Sequence, residues 1–395
     1  MTTITPNPSI SVIIPAYNQG PLLARAIDSA LGQSYPPLEV IVVNDGSPDP
    51  ITRATAARYE GRVVYLEQAN GGVAAARNTG IAAAHGDLIA LLDQDDIWLP
   101  EKLAVEVAAF ARHPQVALVH SSYYLIDGAG RRTGVARLPQ REWAPLPDLL
   151  LEIPIASCTA LFPRRVLDEV GSFDPALAGS DDWDLWLRMA ARGYRFYCLG
   201  VPLAEYRIHP ANTSNDIDLM IRAGLGVLDK FYTLPNLPAS ACPMRDKAYF
   251  GRHAWAAALY YGAQRLEPAG THLRAAATHD PSGVVTGRFL QSLIYARSSQ
   301  PTRATALAAI RFVQQTLAAA GISPARMKWL RARARLVWAL HTGGSVRRAI
   351  ALAHALLAEP RLLIDPHLWA AARRLLQRAV SRSQLMVHSN RRAAK

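Results

Sequence analysis

Cysteine is scarce in this chain: three in 395 residues, at Cys158, Cys198 and Cys242. They form no CxxC pair and no ligand cluster, which argues against a thiolate metal centre. An odd, scattered set is also a poor disulfide framework, so a reducing, cytoplasmic setting is expected. Long apolar runs are missing too. The first, Ile10 to Ile14, is far too short to span a bilayer, and later ones are broken by arginine, as at Arg311 and Arg335. No transmembrane helix is expected, and any membrane contact would be peripheral, at the inner face. Met1 to Pro8 has neither the basic residue nor the apolar stretch of a secretory signal. Acidic residues are short in one half only. Residues 1–215 carry 17 Lys and Arg against 23 Asp and Glu, net −6, whereas residues 216–395 carry 26 against 8, net +18.

A split this sharp, in a chain longer than one hydrophobic core usually serves, predicts two domains with different tasks. Half the residues are hydrophobic and 19% are charged, a globular rather than a disordered balance. The division is placed at 1–215 and 216–395.

The first part alternates short apolar runs with helical patterns. Ser11–Ile14, Val40–Val43, Val63–Leu66, Leu88–Leu92 and Val116–Ser121 read as strands, and the stretches between them as helices. Strands that are apolar throughout and separated by helices predict a parallel sheet covered on both faces. Arg131 to Pro147 reads as a mobile loop. Thr159–Phe162, Arg195–Leu199 and Leu203–Tyr206 read as further strands, and Asp182–Ala191 as an amphipathic helix. From about 216 the composition turns to Ala, Leu and Arg with helical periodicity. Gly251–Pro281 and Arg335–Pro360 look like helical hairpins, faintly similar to tetratricopeptide repeats; an ordinary helical bundle fits as well.

Ligands of open α/β sheets sit beyond the carboxyl ends of strands. Polar residues gather there in this chain: Tyr17-Asn18, Asn44-Asp45, and Asp93-Gln-Asp-Asp96. Asp93, Asp95 and Asp96 have no neighbouring cation in sequence. Crowded carboxylates raise one another's pKa, and a hard divalent cation bridging to diphosphate oxygens relieves that conflict. In isolation the same residues also suit a solvated turn or helix cap.

The wider pattern is more specific. Pro15-Ala-Tyr-Asn18, Val43-Asn-Asp-Gly-Ser47, Asn70-Gly-Gly-Val-Ala-Ala-Ala-Arg-Asn-Thr-Gly80, Leu91-Leu-Asp-Gln-Asp-Asp-Ile-Trp98, Ser180-Asp-Asp-Trp-Asp-Leu-Trp-Leu-Arg188 and Tyr206-Arg-Ile-His209 follow in order. Together they resemble the family 2 glycosyltransferases of GT-A fold, over residues 8–215. The fold class implied is α/β, a GT-A (Rossmann-like) nucleotide-sugar-binding domain followed by an all-α domain. The activity implied is metal-dependent, inverting transfer of a sugar from a nucleotide-diphosphate sugar, by family habit a UDP-sugar, to an acceptor hydroxyl.

The resemblance also implies roles. Pro15, Tyr17, Asn18 and Asp45 match positions that hold the nucleotide. Gly71 and Gly72 permit close backbone approach before a helix N-terminus. Arg77 and Asn78 face the same end, and Arg77 either binds diphosphate or pairs with the aspartates. Asp93 matches the ribose-side carboxylate. Asp95 and His209 match the holders of a divalent metal, Mn²⁺ or Mg²⁺. Asp182 matches the general base; where the family usually has Glu-Asp, this chain has Asp181-Asp182. Asp184 reads as a surface charge. Trp183 and Trp186 either floor an acceptor site or pack in the core.

The acceptor class implied is a saccharide or lipid-linked saccharide, as in cell-surface polysaccharide or glycolipid synthesis. The cationic second half, densest at Arg326, Lys328, Arg331, Arg333 and Arg335, would then hold the enzyme at an anionic leaflet. Its alternative is a solvated helical scaffold. No zinc-finger, Gly-rich or aromatic motif points to nucleic acid. The alternative function is an inactive nucleotide-sugar sensor or scaffold, against which Asp95, Asp182 and His209 stand.

Overall fold

The computed structural model describes residues 7–285 and 303–319, together with the single positions 289, 292, 293, 296 and 321. Contacts divide the chain into two compact units, Met1–Ala248 and Tyr249–Lys395.

The first unit is built on a ten-stranded mixed sheet. Its parallel half contains β1 (Ile10–Ala16), β2 (Glu39–Asn44), β3 (Val64–Glu67) and β4 (Leu88–Leu91). β1 lies at the centre, between β2 and β4, and every one of its residues is buried. That is why it reads as nearly continuous apolar sequence rather than as alternation. The helices α1 (Gly20–Leu31), α2 (Pro50–Ala57) and α3 (Val73–Ala83) follow β1, β2 and β3. α1 buries Leu23, Ala26, Ile27 and Ala30 along one face. α2 starts where the Asp49 side chain accepts the Thr52 N–H, a standard N-cap. α3 packs so tightly on the sheet that a methyl at Gly80 would lie 2.6 Å from Ile13 Cγ2.

Beyond β4 the sheet departs from a purely parallel design. β5 (Ile97–Trp98), α4 (Lys102–Arg112), β6 (Val116–Ile126), β7 (Arg132–Ala136) and β8 (Arg141–Trp143) come next along the chain, then a short helix, α5 (Leu146–Leu149). β9 (Leu161–Pro163) enters antiparallel between β4 and β6. The helices α6 (Val166–Val170) and α7 (Asp181–Ala191) precede β10 (Arg195–Arg207), which runs parallel to β6. The two terminal strands expected near 195–199 and 203–206 are thus one long strand, whose register shifts between Cys198 and Ala204. The segment expected as a mobile loop over 131–147 instead holds β7, paired to β6, and β8, paired to β10.

Helix α8 (Ile217–Tyr232) lies past the expected division at 215 yet belongs to the first unit and packs on α7. Lys230 of α8 reaches Asp174 at 2.7 Å and Asp184 at 3.1 Å.

In the second unit, the described residues are helical. The helix Arg245–Gly262 runs into it, a turn with Gln264 at φ +62° follows, and the helices Leu266–His279 and Arg303–Ala319 pack together. The basic run 326–335 and the hairpin expected at 335–360 lie outside the described residues. Among the described residues no helix is long and apolar enough to cross a membrane, and the three cysteines are free thiols.

Candidate active site

The loops at the carboxyl ends of the parallel strands are tied to one another side by side. After β1 the chain turns through Tyr17 and Asn18, the latter at φ +55°. Gln94 grips this turn: its Oε1 accepts the Tyr17 N–H at 2.8 Å and its Nε2 donates to the Tyr17 carbonyl at 2.9 Å. The Asn18 N–H donates to Ser47 Oγ at 3.1 Å. The Tyr17 side chain stays outside the core, 42% exposed, and so is open to a ligand. Pro15 is buried within β1.

Asp45, just past β2, is buried. Its Oδ1 accepts from Gln68 Nε2 at 2.7 Å and from the Gly71 N–H at 2.9 Å, and its Oδ2 accepts the Gly72 N–H at 2.8 Å. The carboxylate expected to face a base thus already holds the Asn70–Gly72 loop, and the two glycine amides point to it. Gly46 has φ +68°, and a Cβ there would stand 2.7 Å from the Asn70 nitrogen. Only glycine suits both the left-handed backbone and the close approach.

Arg77, on α3, is 4% exposed. It donates through Nη2 to Asp93 Oδ1 at 2.7 Å and through Nη1 to Asp181 Oδ2 at 2.8 Å. Burial alone would lower its pKa, but Asp93 and Asp181, with Asp182 beyond them, drive it above the ordinary value. The guanidinium is therefore a fixed positive link between the end of β4 and the start of α7. Of the two roles open to it in the sequence, the structure displays the pairing with aspartates. Asn78, one residue on, turns elsewhere. Its amide brackets the backbone of Phe173, donating to the carbonyl at 2.8 Å and accepting the N–H at 3.0 Å.

Asp95 meets His209, which lines a cleft. His209 Nε2 lies 2.9 Å from Asp95 Oδ2, and His209 Nδ1 accepts the Ala211 N–H at 3.2 Å. With Nδ1 as acceptor, Nε2 carries the proton and donates to Asp95. Burial, then the charge of Asp93, raises the pKa of Asp95, while the histidine bond opposes the rise. Among the described residues no group of three His, Cys, Asp or Glu side chains converges on a metal position. One carboxylate and one imidazole still suit a divalent ion whose other ligands are diphosphate oxygens and water, since such ions take few protein ligands when phosphates supply the rest. The cleft encloses about 410 Å³ and is walled by Tyr17, Asn18, Gln19, Arg207 and His209 among others.

Asp96 faces the other way. It is 1% exposed, and its Oδ1 accepts the Arg207 N–H at 2.8 Å. The Arg207 guanidinium returns the tie, donating through Nε to the Asp95 carbonyl at 2.8 Å and through Nη1 to the Asp127 carbonyl at 3.0 Å. The reading from sequence did not single out Arg207, although it sits inside the Tyr206–His209 motif. It fixes the carboxylate turn against the end of β10.

Asp182 opens α7 beside Asp181. Its Oδ2 accepts the Ser157 hydroxyl at 2.6 Å, and its Oδ1 accepts the Trp183 N–H at 2.7 Å. Burial, and then the charge of Asp181, push its pKa up to about 6; Arg77 and the serine bond pull it back. A carboxylate so placed is ionised at neutral pH and more basic than an ordinary aspartate, the combination that general-base work needs. Trp183 and Trp186 are both fully buried. Trp183 Nε1 donates to the Leu149 carbonyl at 2.7 Å and Trp186 packs edge-on to Phe162, so both serve the core. Asp184, read as a surface charge, is 3% exposed. Arg188 and Lys230 neutralise it at 2.8 and 3.1 Å, which is what lets a carboxylate sit there.

Residues 11–171 match the family described as Glycosyl transferase family 2. Over 214 residues the chain is 35% identical to an uncharacterised glycosyltransferase of Rickettsia prowazekii, covering 53% of this chain and 67% of that protein. Over 238 residues it is 31% identical to one of Bacillus subtilis, covering 58% and 86%. Among solved structures, residues 1–349 of S. aureus TarS, in complex with UDP-GlcNAc, superpose with a TM-score of 0.54 at 15% identity, covering 79% of this chain and 92% of that one. At that identity the likeness is one of fold.

Proposed function

The chain belongs to glycosyl transferase family 2, and we propose that it transfers a sugar from a nucleotide-diphosphate donor, a UDP-sugar, to an acceptor hydroxyl with inversion at the anomeric carbon. The observation that carries this reading is the unbroken chain Asp93–Arg77–Asp181–Asp182. It joins the carboxylate turn at the end of β4 to a basic carboxylate at the head of α7. One buried cation thereby ties the two carboxylate-bearing segments together.

The acceptor oxygen attacks the anomeric carbon as the bond to the diphosphate oxygen breaks. Asp182 takes the acceptor proton, and the nucleoside diphosphate leaves with the bonding pair. A second carboxylic acid is unnecessary, because diphosphate is a good leaving group, unlike the sugar alcohol of glycoside hydrolysis. Tyr17 and the Asp45-pinned loop form the nucleotide side. Asp95 and His209 would hold a divalent metal, Mn²⁺ or Mg²⁺, which when bound offsets charge on the leaving diphosphate. His209 would then carry its proton on Nδ1 in place of Nε2, at the expense of the bond from the Ala211 N–H. If the acceptor is a lipid-linked saccharide, the +18 second half would hold the enzyme at an anionic leaflet.

The test is a panel of nucleotide-sugars, with and without Mn²⁺ or Mg²⁺, read by thermal shift and by nucleotide release. Metal-dependent stabilisation by one nucleotide class, lost in Asp95→Ala, is the expected result. A folded protein that responds to no nucleotide would overturn the reading in favour of a scaffold.

A further inference from the structure

Ser157 has no place in the family pattern quoted above, yet its hydroxyl is 2.6 Å from the carboxylate assigned as the base. It is 7% exposed and sits in a single 3₁₀ turn, Ser157–Thr159, between the acceptor-side loop and β9. The turn is braced from three sides. Thr159 Oγ1 donates to the Ala156 carbonyl at 2.7 Å, and the Ala160 N–H donates to the Ser157 carbonyl at 3.0 Å. Trp98 Nε1, directly beyond the carboxylate turn, donates to the Cys158 carbonyl at 2.7 Å. One short turn thus touches β5 through Cys158 and Asp182 through Ser157.

We propose that Ser157 is the positioning residue of the base: its O–H fixes Oδ2 of Asp182 and tunes the pH range over which that carboxylate works. This rests on the assignment of Asp182 as base. A serine hydroxyl has one proton to give. Asp182 cannot donate when ionised, so Ser157 is the donor and favours the charged form. With the Trp183 N–H on Oδ1, the carboxylate is held at both oxygens, and each oxygen retains a lone pair for the acceptor proton. Rotation about the terminal side-chain bond of aspartate is otherwise soft.

The test compares Ser157→Ala and Ser157→Thr with the parent and with Asp182→Asn, in the full chain. Two readouts are used: carboxyl-carbon NMR titration of the free protein labelled in aspartate, and the pH dependence of transfer with the donor identified by the panel. Ser157→Ala is expected to raise the Asp182 midpoint by about one to two pH units, the worth of one hydrogen bond to a charged group. The acid limb of the rate profile should move by the same amount and the loss should shrink as pH rises. Ser157→Thr keeps the hydroxyl and should restore both. A folded Ser157→Ala with unmoved midpoint and profile, while Asp182→Asn is inactive, would overturn the role of Ser157 alone. An active Asp182→Asn would instead remove the base assignment on which it rests.

Discussion

Replacing Asp182 by Asn should separate stability from activity in opposite directions. The folded protein holds this carboxyl at about 6, against an ordinary value of 3.8, chiefly because burial and Asp181 oppose its charge. Between those two values the folded chain keeps a proton that the unfolded chain has released. The parent therefore loses stability as pH rises from about 4 to about 6 and is level above. A shift near two units corresponds to at most roughly 3 kcal/mol. Asparagine does not ionise, and its size is nearly the same; its amide oxygen can still accept the Trp183 N–H while its NH2 donates to the Ser157 hydroxyl oxygen, which can turn to accept. Asp182→Asn should thus match the parent near pH 4 and exceed it by up to about 3 kcal/mol at pH 7. Transfer should fall by roughly 10²–10⁴-fold, the usual worth of a positioned base, with donor binding almost unchanged. Urea unfolding at pH 4, 5, 6 and 7, beside nucleotide release and donor titration at pH 7.5, measures all three. A stability difference flat across that range would refute the burial argument, and a variant that keeps most turnover would refute the base.

Other expectations follow from the same contacts. Arg77→Met leaves Asp93 and Asp181 without their shared cation and should cost about 3–5 kcal/mol, the penalty for breaking a buried pair; urea denaturation reads it, and a loss under 1 kcal/mol contradicts the buried network. Asp45→Ala frees the Gly71 and Gly72 amides to water and should cost about 1–2 kcal/mol while raising amide exchange across residues 70–72. Gly46→Ala forces a side chain into a left-handed backbone and against Asn70, so a drop in melting temperature with weaker nucleotide binding is expected; unchanged melting would mean that the turn relaxes freely. Lys230→Met removes one of the two cations facing buried Asp184 and should destabilise the first unit, measurably by calorimetry, with donor binding intact.

What could be read in advance depended on how local the determinant was. The strands β1, β2 and β4 were legible because burial on both faces makes them apolar throughout, and the site fell at their ends by topology. The antiparallel entry of β9 was not legible, since a three-residue strand carries no mark of pairing direction. β7 and β8 were hidden in a polar, Arg- and Pro-bearing stretch that carries no apolar run. Asp45 was legible as a site residue, but its partners Gly71 and Gly72 lie far along the chain, so its load could not be seen. Asp184 was misread because its surroundings come from Arg188 and from α8. Ser157 carried no local signal at all: a lone serine between Ala156 and Cys158 gains meaning only when α7 is folded beside it.

Helix α8 changes what counts as a separable module. The last motif closes at His209, and a chain cut after 215 keeps every group proposed for the chemistry. Yet α8 packs on α7, buries Ile221, Val227, Leu228 and Phe231, and sends Lys230 to Asp174 and Asp184. Since α7 carries Asp182, its footing is shared with a segment outside the motif run. Exchange of tails between relatives should then leave the footing of α7 intact only where the junction lies beyond Ala248, at which the first unit ends.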